Sequence, residues 1–407
     1  MTAPPPPPDS NAQSPRLRSR LPVALRLSML YGALFSVIGF HMPYWPVWLE
    51  SRGMGPGEIG ILLGAMTWAK VLGNPLAGRV VDATGQRRSL MIGLAAVSVV
   101  AFLLFVPAEG FWPLLGLSLL TGITLWAIMP LSENLTLLTV YERKGLDYGR
   151  IRLWGSLTFI AASMLGGRLL GIFAADAILW AIIGCVVLTL ATTLLLPDVR
   201  TRAGGDTGPP PPVWPLLRHP AFITFLVSAS IIQASHAVYY GFATLHWRGA
   251  GLDDGLIGIL WAVGVIAEVC LFAFGNRVVA ALGPGLLILL GAVGGLARWS
   301  VLAVTTDPWV LVPVQTLHAL TFAATHLGAM HVIARAVPGV YSGRAQGIYA
   351  SLGLGVAMAI AMAASGSLYE AFGGRAFLAM TGMAAVGLIA AQMFRARWSG
   401  GELELRR

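Results

Sequence analysis

The sequence predicts an all-α membrane protein, with twelve transmembrane helices in two pseudo-symmetric halves of six. Three observations predict it. Apolar residues make up 56% of the 407 residues and charged residues only 11%, where soluble domains carry about 25% charged. Apolar runs of about 20 residues, long enough to cross a ~30 Å hydrocarbon core as helices, recur along the whole chain. One stretch of the first half returns in the second.

The runs read as spans at about 24–46, 57–77, 89–107, 111–135, 153–174, 176–197, 219–243, 256–277, 284–305, 309–332, 345–369 and 373–394. Residues 1–22, proline-rich and then basic, are expected to form a disordered cytoplasmic tail with no cleavable signal peptide. Residues 23–197 form the first half, 198–218 a linker with its prolines at 209–212, 219–395 the second half, and 396–407 a closing tail. Cys185 and Cys270 fall inside apolar runs and read as small core residues.

The formal net charge of +9 could suggest a nucleic-acid partner, but its distribution argues against one. With the N-terminus placed in the cytoplasm, 21 of the 27 Lys and Arg residues fall in cytoplasmic segments, Arg150 and Arg152 among them. Only Arg52, Arg248 and Arg375 fall outside, and Lys70, Arg168 and Arg298 lie within spans. That asymmetry puts both termini in the cytoplasm of a bacterial inner membrane.

The repeat is IGILLGAMTWAKV at 59–71 against IGILWAVGVIAEV at 257–269, at a constant offset of 198 residues. It continues into GRVVDATG at 78–85 and NRVVAALG at 276–283. Parallel repeats of this kind suit two six-helix halves related about the membrane normal.

Between the second and third spans, Gly78, Asp82, Gly85, Arg87 and Arg88 reproduce the spacing of the signature loop of the major facilitator superfamily, which this chain resembles. Gly78 would permit close helix approach and Gly85 a tight turn. Asp82 would suit a helix N-terminus, where the dipole favours an anion. The resemblance implies that the cluster clamps the two halves on the cytoplasmic side in the outward-open state. Ala280 replaces the acid in the second copy, so the clamp is expected to be one-sided.

Only two of the eighteen acids, Glu133 and Glu268, lie inside spans. A charge there costs about 2.5–3.5 kcal/mol or more and marks either function or a buried pair. Glu268 and its repeat counterpart Lys70 sit at matching depths. Either they form an ion pair locking the halves together, or Glu268 carries a proton while Lys70 holds an anionic substrate. Glu268 shares a helical face with Trp261 and Gly264, with Phe272 four residues on. Glu133 shares one with Trp126 and Pro130, and is a cytoplasmic gate, a second proton site or a snorkelling or capping residue.

His236, on a face with Gln233, Tyr239 and Tyr240, and His318, on a face with Thr321 and Phe322, are packing residues or cavity lining. The superfamily's first, fourth, seventh and tenth spans line its cavity, which favours lining. The histidine spacings do not give a metal pair, and neither metal nor cofactor is expected. Arg298, toward the outer end of the ninth span, is expected to snorkel.

DYGRIRLWGS (147–156), SHAVYYGF (235–242), LWAVGVIAEV (260–269) and THLGAMHVIAR (325–335) resemble the phenylpropionate permease family, in the proton-symporter branch of the superfamily. That resemblance implies proton-coupled import of 3-phenylpropionate or a related aromatic carboxylate by a monomeric secondary transporter. It implies proton-coupling residues Glu268 and Glu133, and a cavity lined by Lys70, Trp126, His236, Tyr240, Trp261 and His318. An exporter, or a carrier of sugars, nucleosides or other small solutes, would share the fold. An enzyme is not expected, since no metal-ligand spacing, nucleophile elbow or His/Asp/Ser constellation is present.

Overall fold

The computed structural model describes residues 21–143, 145–199 and 212–405. The expectations for residues 1–20, Lys144, 200–211, Arg406 and Arg407 lie outside the described residues. Among those described, the chain forms helices joined by short turns. Eleven apolar helical stretches are long enough to cross a membrane. The last, Gly339–Arg397, is broken at Gly373 (φ 54°) and holds two crossings, giving twelve spans.

Spans 1 to 6 are Val23–Ser51, Pro56–Thr84, Arg87–Leu104, Phe111–Glu142, Tyr148–Ile172 and Asp176–Leu195. Spans 7 to 10 are Pro220–Gly249, Asp254–Ala273, Pro284–Leu302 and Pro308–Ala336. Span 11 covers 342–372 and span 12 is Phe377–Arg397. The ends are set by local chemistry. The carboxylates of Asp147, Asp253 and Asp307 accept the first free backbone N–H groups of spans 5, 8 and 10. Prolines open spans 2, 7, 9 and 10, where a missing N–H costs nothing. Gly85 ends span 2 with φ 67°, the left-handed turn expected of it.

Several boundaries depart from the sequence reading, with consequences for the site. Span 2 runs on to Thr84, so Gly78 and Asp82 lie in its helix and not in a loop. Span 5 starts at Tyr148, so Arg150 and Arg152 are helical. Span 4 breaks at 125–127 and span 7 at Ser235–His236. Spans 10 and 11 carry π-helical segments, Ala319–Ala324 and Tyr349–Ala357. Such wide turns occur mostly at functional sites. Cys270 is exposed on the surface rather than in the core.

We call the end of the bundle holding both described termini basal and the opposite end distal. The halves meet through spans 2 and 11 and through spans 5 and 8. Glycine lets the backbones touch at the distal end. A Cβ on Gly60 would lie 2.7 Å from Gly366 N, one on Gly64 2.9 Å from Ala363 Cβ, and one on Gly258 2.7 Å from Ser163 O. These approaches bring the helices together as small residues do in membrane bundles.

At the basal end the signature cluster bonds within its own half. Arg87 donates to Asn134 at 2.5 Å, and Arg88 to the Leu194 carbonyl at 2.5 Å. A Cβ on Gly78 would meet nothing within 4 Å, so this glycine has no close helix neighbour here. Asp82 is exposed in the last turn of its own helix and does not cap an N-terminus. Both departures have one cause: the halves are drawn together distally, which leaves the cluster without a partner from the other half.

Candidate functional site

The breaks in the spans gather the polar side chains of the second half into one buried chain of contacts. His236 sits at the kink of span 7 and His318 at the mouth of the π segment of span 10. Between them lies Arg298 of span 9, fully buried and not snorkelling as the sequence suggested. It donates to His318 Nδ1 at 3.0 Å, to Thr321 Oγ1 at 3.2 Å and to Gln315 Oε1 at 2.7 Å. Its guanidinium also lies 4.3 Å from the Tyr239 ring centroid and 4.8 Å from that of Trp299, so two aromatic faces share its charge.

Donor and acceptor rules fix the protons in this network. A guanidinium only donates, so His318 Nδ1 accepts and its proton sits on Nε2. That Nε2 stands 3.4 Å from Glu268 Oε2. His236 Nδ1 faces the Gln233 carbonyl at 3.0 Å, which only accepts, so its Nε2 accepts from the Thr321 hydroxyl at 3.0 Å. Thr321 in turn accepts from Arg298. A neutral histidine thus separates the carboxylate of Glu268 from the buried guanidinium. Tyr240 stacks on His236 with centroids 5.3 Å apart. Trp261 donates to Thr244 Oγ1 at 3.0 Å and lies 4.6 Å from Tyr239. Phe272 is exposed, so it forms no wall beside Glu268.

The first half holds two further groups. Lys70 Nζ stands 4.0 Å from the centroid of the Trp126 ring. His41 meets the same ring edge-on at 5.9 Å and stacks on Trp45 at 5.1 Å. Beside Trp126 is an apolar slot lined by Leu34, Val37, Ile38, Leu125 and Met129. Nearer the basal end, Glu133 lies among Tyr31, Tyr148 and Arg152. The expected common face of Glu133 and Trp126 is not formed, because the break at 125–127 interrupts the helical count between them.

Lys70 and Glu268 do not pair. Among the described residues no ion pair joins them: Lys70 rests on Trp126 and Glu268 on His318. The cation that reaches across is Arg152, placed in a cytoplasmic segment by the sequence. Its guanidinium lies 4.0 Å from the Phe35 centroid and acts electrostatically on Glu133, Glu268 and His326.

Sequence reasoning missed the roles of Arg298, Arg152 and His41. A signal for Arg298 existed: Gly291, Gly294 and Gly295 precede it at seven, four and three residues. That spacing puts four residues on one helical face, and a glycine stripe marks the packed face, not the lipid face. For Arg152 no local signal separates a loop residue from one in a first turn. Among the described residues, no group of three His, Cys, Asp or Glu side chains could hold a metal ion.

Known proteins agree with this geometry. A probable 3-phenylpropionic acid transporter of Escherichia coli (strain K12) is 34% identical over 366 residues, covering 87% of this chain and 93% of that protein. A maltose permease of Geobacillus stearothermophilus is 25% identical, covering 84% of this chain and 86% of that one. Among solved structures, the nucleoside transporter NupG (D323A mutant) superimposes with a TM-score of 0.82 at 15% identity, covering 93% of this chain and all of that one. A bacterial homologue of the lysosomal transporter Spinster, inward-facing and unoccupied, gives 0.66 at 14% identity, covering 93% of this chain and 98% of that one. The sequence pattern of the MFS_1 like family matches residues 24–379, and the chain belongs to that family of major facilitator transporters, multi-pass proteins of the membrane.

Proposed function

We propose that the protein imports an aromatic monocarboxylate together with protons, by alternating access across a bacterial inner membrane. The observation that carries this reading is the line from Glu268 through neutral His318 to Arg298. It holds a carboxylate in the membrane interior with a proton donor beside it and a fixed cation behind it. Glu268 is the proton-coupling acid in this reading, with Glu133 as a second site near the basal end. Lys70, Trp126, His236, Tyr240, Trp261 and His318 bound the substrate pathway.

Charge supports an anionic substrate. Lys70, Arg152 and Arg298 face two carboxylates, Glu133 and Glu268, which leaves one positive charge in the pathway. A neutral solute would leave that charge uncompensated in a medium where charges are costly. Moving a monoanion inward against an inside-negative potential costs ~2.3 kcal/mol per 100 mV. One accompanying proton cancels that cost and a second makes import favourable. The named relative at 34% identity, a probable 3-phenylpropionic acid transporter, supports the same substrate class.

In this reading the basal end is cytoplasmic, as the distribution of Lys and Arg suggests. The molecule, closed distally, is then the inward-facing form. Gly78, Asp82, Gly85, Arg87 and Arg88 engage the other half only when the basal end closes. The test is Glu268→Gln in membrane vesicles with labelled 3-phenylpropionate. Accumulation driven by a proton gradient is lost while exchange of internal for external substrate persists. Full accumulation by that variant removes Glu268 from coupling.

A further inference from the structure

Lys70 forms no hydrogen bond or ion pair with any described residue, although it lies in the middle of span 2. Around it, three buried nitrogens also lack partners: His41 Nε2, Trp126 Nε1 and Trp45 Nε1. His41 is only 5% exposed. All three belong to one stack, in which His41 bridges Trp45 and Trp126 while Lys70 stands over Trp126. Buried polar groups almost always have partners, and an intramembrane cation calls for a counter-ion. Orphan N–H donors clustered beside one unpaired cation lack the same thing: an acceptor carrying a single negative charge.

We propose that His41, with Lys70 and Trp126, forms the seat for the substrate's carboxylate in the first half, and that the apolar slot beside Trp126 takes its ring. One oxygen accepts from Lys70 and the other from His41 Nε2, with the indole N–H of Trp126 at the edge. The slot beyond is aliphatic, lined by Leu34, Val37 and Met129 among others, and supplies no polar group in its walls for a sugar hydroxyl. A compact monoanion with an apolar end, such as an arylalkanoate, fits both parts. The inference rests on the importer reading and adds the residues that recognise the anion.

The test uses the full chain in lipid nanodiscs, with 3-phenylpropionate and its neutral isostere 3-phenylpropionamide as probes. The unaltered protein binds the acid at least about tenfold more tightly than the amide. His41→Phe keeps the stack but removes the nitrogen and loses most of that preference. His41→Gln, which can offer an N–H at a similar reach, keeps it, and Lys70→Met abolishes it. Should His41→Phe not fold, Trp126→Phe, which deletes only the indole N–H and part of the ring, is read the same way. If the unaltered protein prefers the acid and His41→Phe prefers it equally, the seat is overturned and the importer reading stands. If the unaltered protein binds acid and amide alike, both are overturned.

Discussion

Arg298 donates to Nδ1 of His318 across 3.0 Å, and this one contact orients the imidazole so that its other nitrogen carries a proton toward Glu268. A doubly protonated His318 would place a second donor against the guanidinium, so the arginine holds the ring neutral as long as the contact lasts. The geometry therefore ties any proton arriving at Glu268 to the position of span 9. Spans 7 and 10 join the same network through His236 and Thr321.

His318→Phe keeps the ring that stacks on Phe322 but removes the acceptor for Arg298 and the donor toward Glu268. Gln315 and Thr321 still accept from the guanidinium. We expect a loss of about 1–3 kcal/mol of stability, the cost of one unsatisfied buried partner, read as a lower melting temperature. Proton-driven accumulation falls to background while exchange remains. Normal accumulation would show that the proton takes another route.

Arg298→Lys keeps the charge and loses the fork. Two guanidinium nitrogens serve His318, Thr321 and Gln315 while the plane lies against Tyr239 and Trp299. An ammonium on a flexible stem cannot hold all of these, so the exchange is not conservative. We expect uptake at least about tenfold below the parent, since each lost buried partner is worth about 1–3 kcal/mol. Uptake within twofold of the parent would reduce Arg298 to a point charge.

Gly64→Leu forces spans 2 and 11 apart where a Cβ already lies 2.9 Å from that of Ala363. Distal closure should fail, so a cysteine introduced at Met362 becomes accessible to an impermeant thiol reagent and net uptake drops. Gly93→Leu, where a Cβ meets nothing within 4 Å, is the control and should leave both unchanged. Equal labelling of the two variants would mean the glycine contacts do not hold the distal end closed.

Gly85 and Gly78 separate folding from gating. Gly85 has φ 67°, so Gly85→Ala should cost about 1–2 kcal/mol, measurable as a lower melting temperature. Gly78 is helical and unobstructed, so Gly78→Ala should be neutral or stabilising by about 0.5–1 kcal/mol. If basal closure needs that glycine, uptake by Gly78→Ala falls although the protein is no less stable. Unimpaired uptake would show that no helix packs closely on Gly78 in any state.

Much of the site could be read as a set of residues but not as a set of contacts. Glu268, His318, His236 and Lys70 stood out because ionisable groups are rare in apolar runs. Their partners did not. The repeat pairs Lys70 with Glu268 by position, yet each rests on an aromatic or imidazole ring of its own half. Trp126 and Glu133 share a face only in an unbroken helix, and span 4 is broken between them. Arg298 looked like a lipid-facing residue until the glycine stripe on its face packed against spans 10 and 12.

The sequence by itself determined that the chain lives in a membrane, crosses it about twelve times and repeats itself. Those properties depend on the length and polarity of local segments, which a bilayer selects directly. Which buried nitrogen meets which oxygen was decided by tertiary structure alone. Two helix breaks, two π segments and the distal packing of the halves rotate side chains further than helical periodicity can carry, and the proton wiring follows from those rotations.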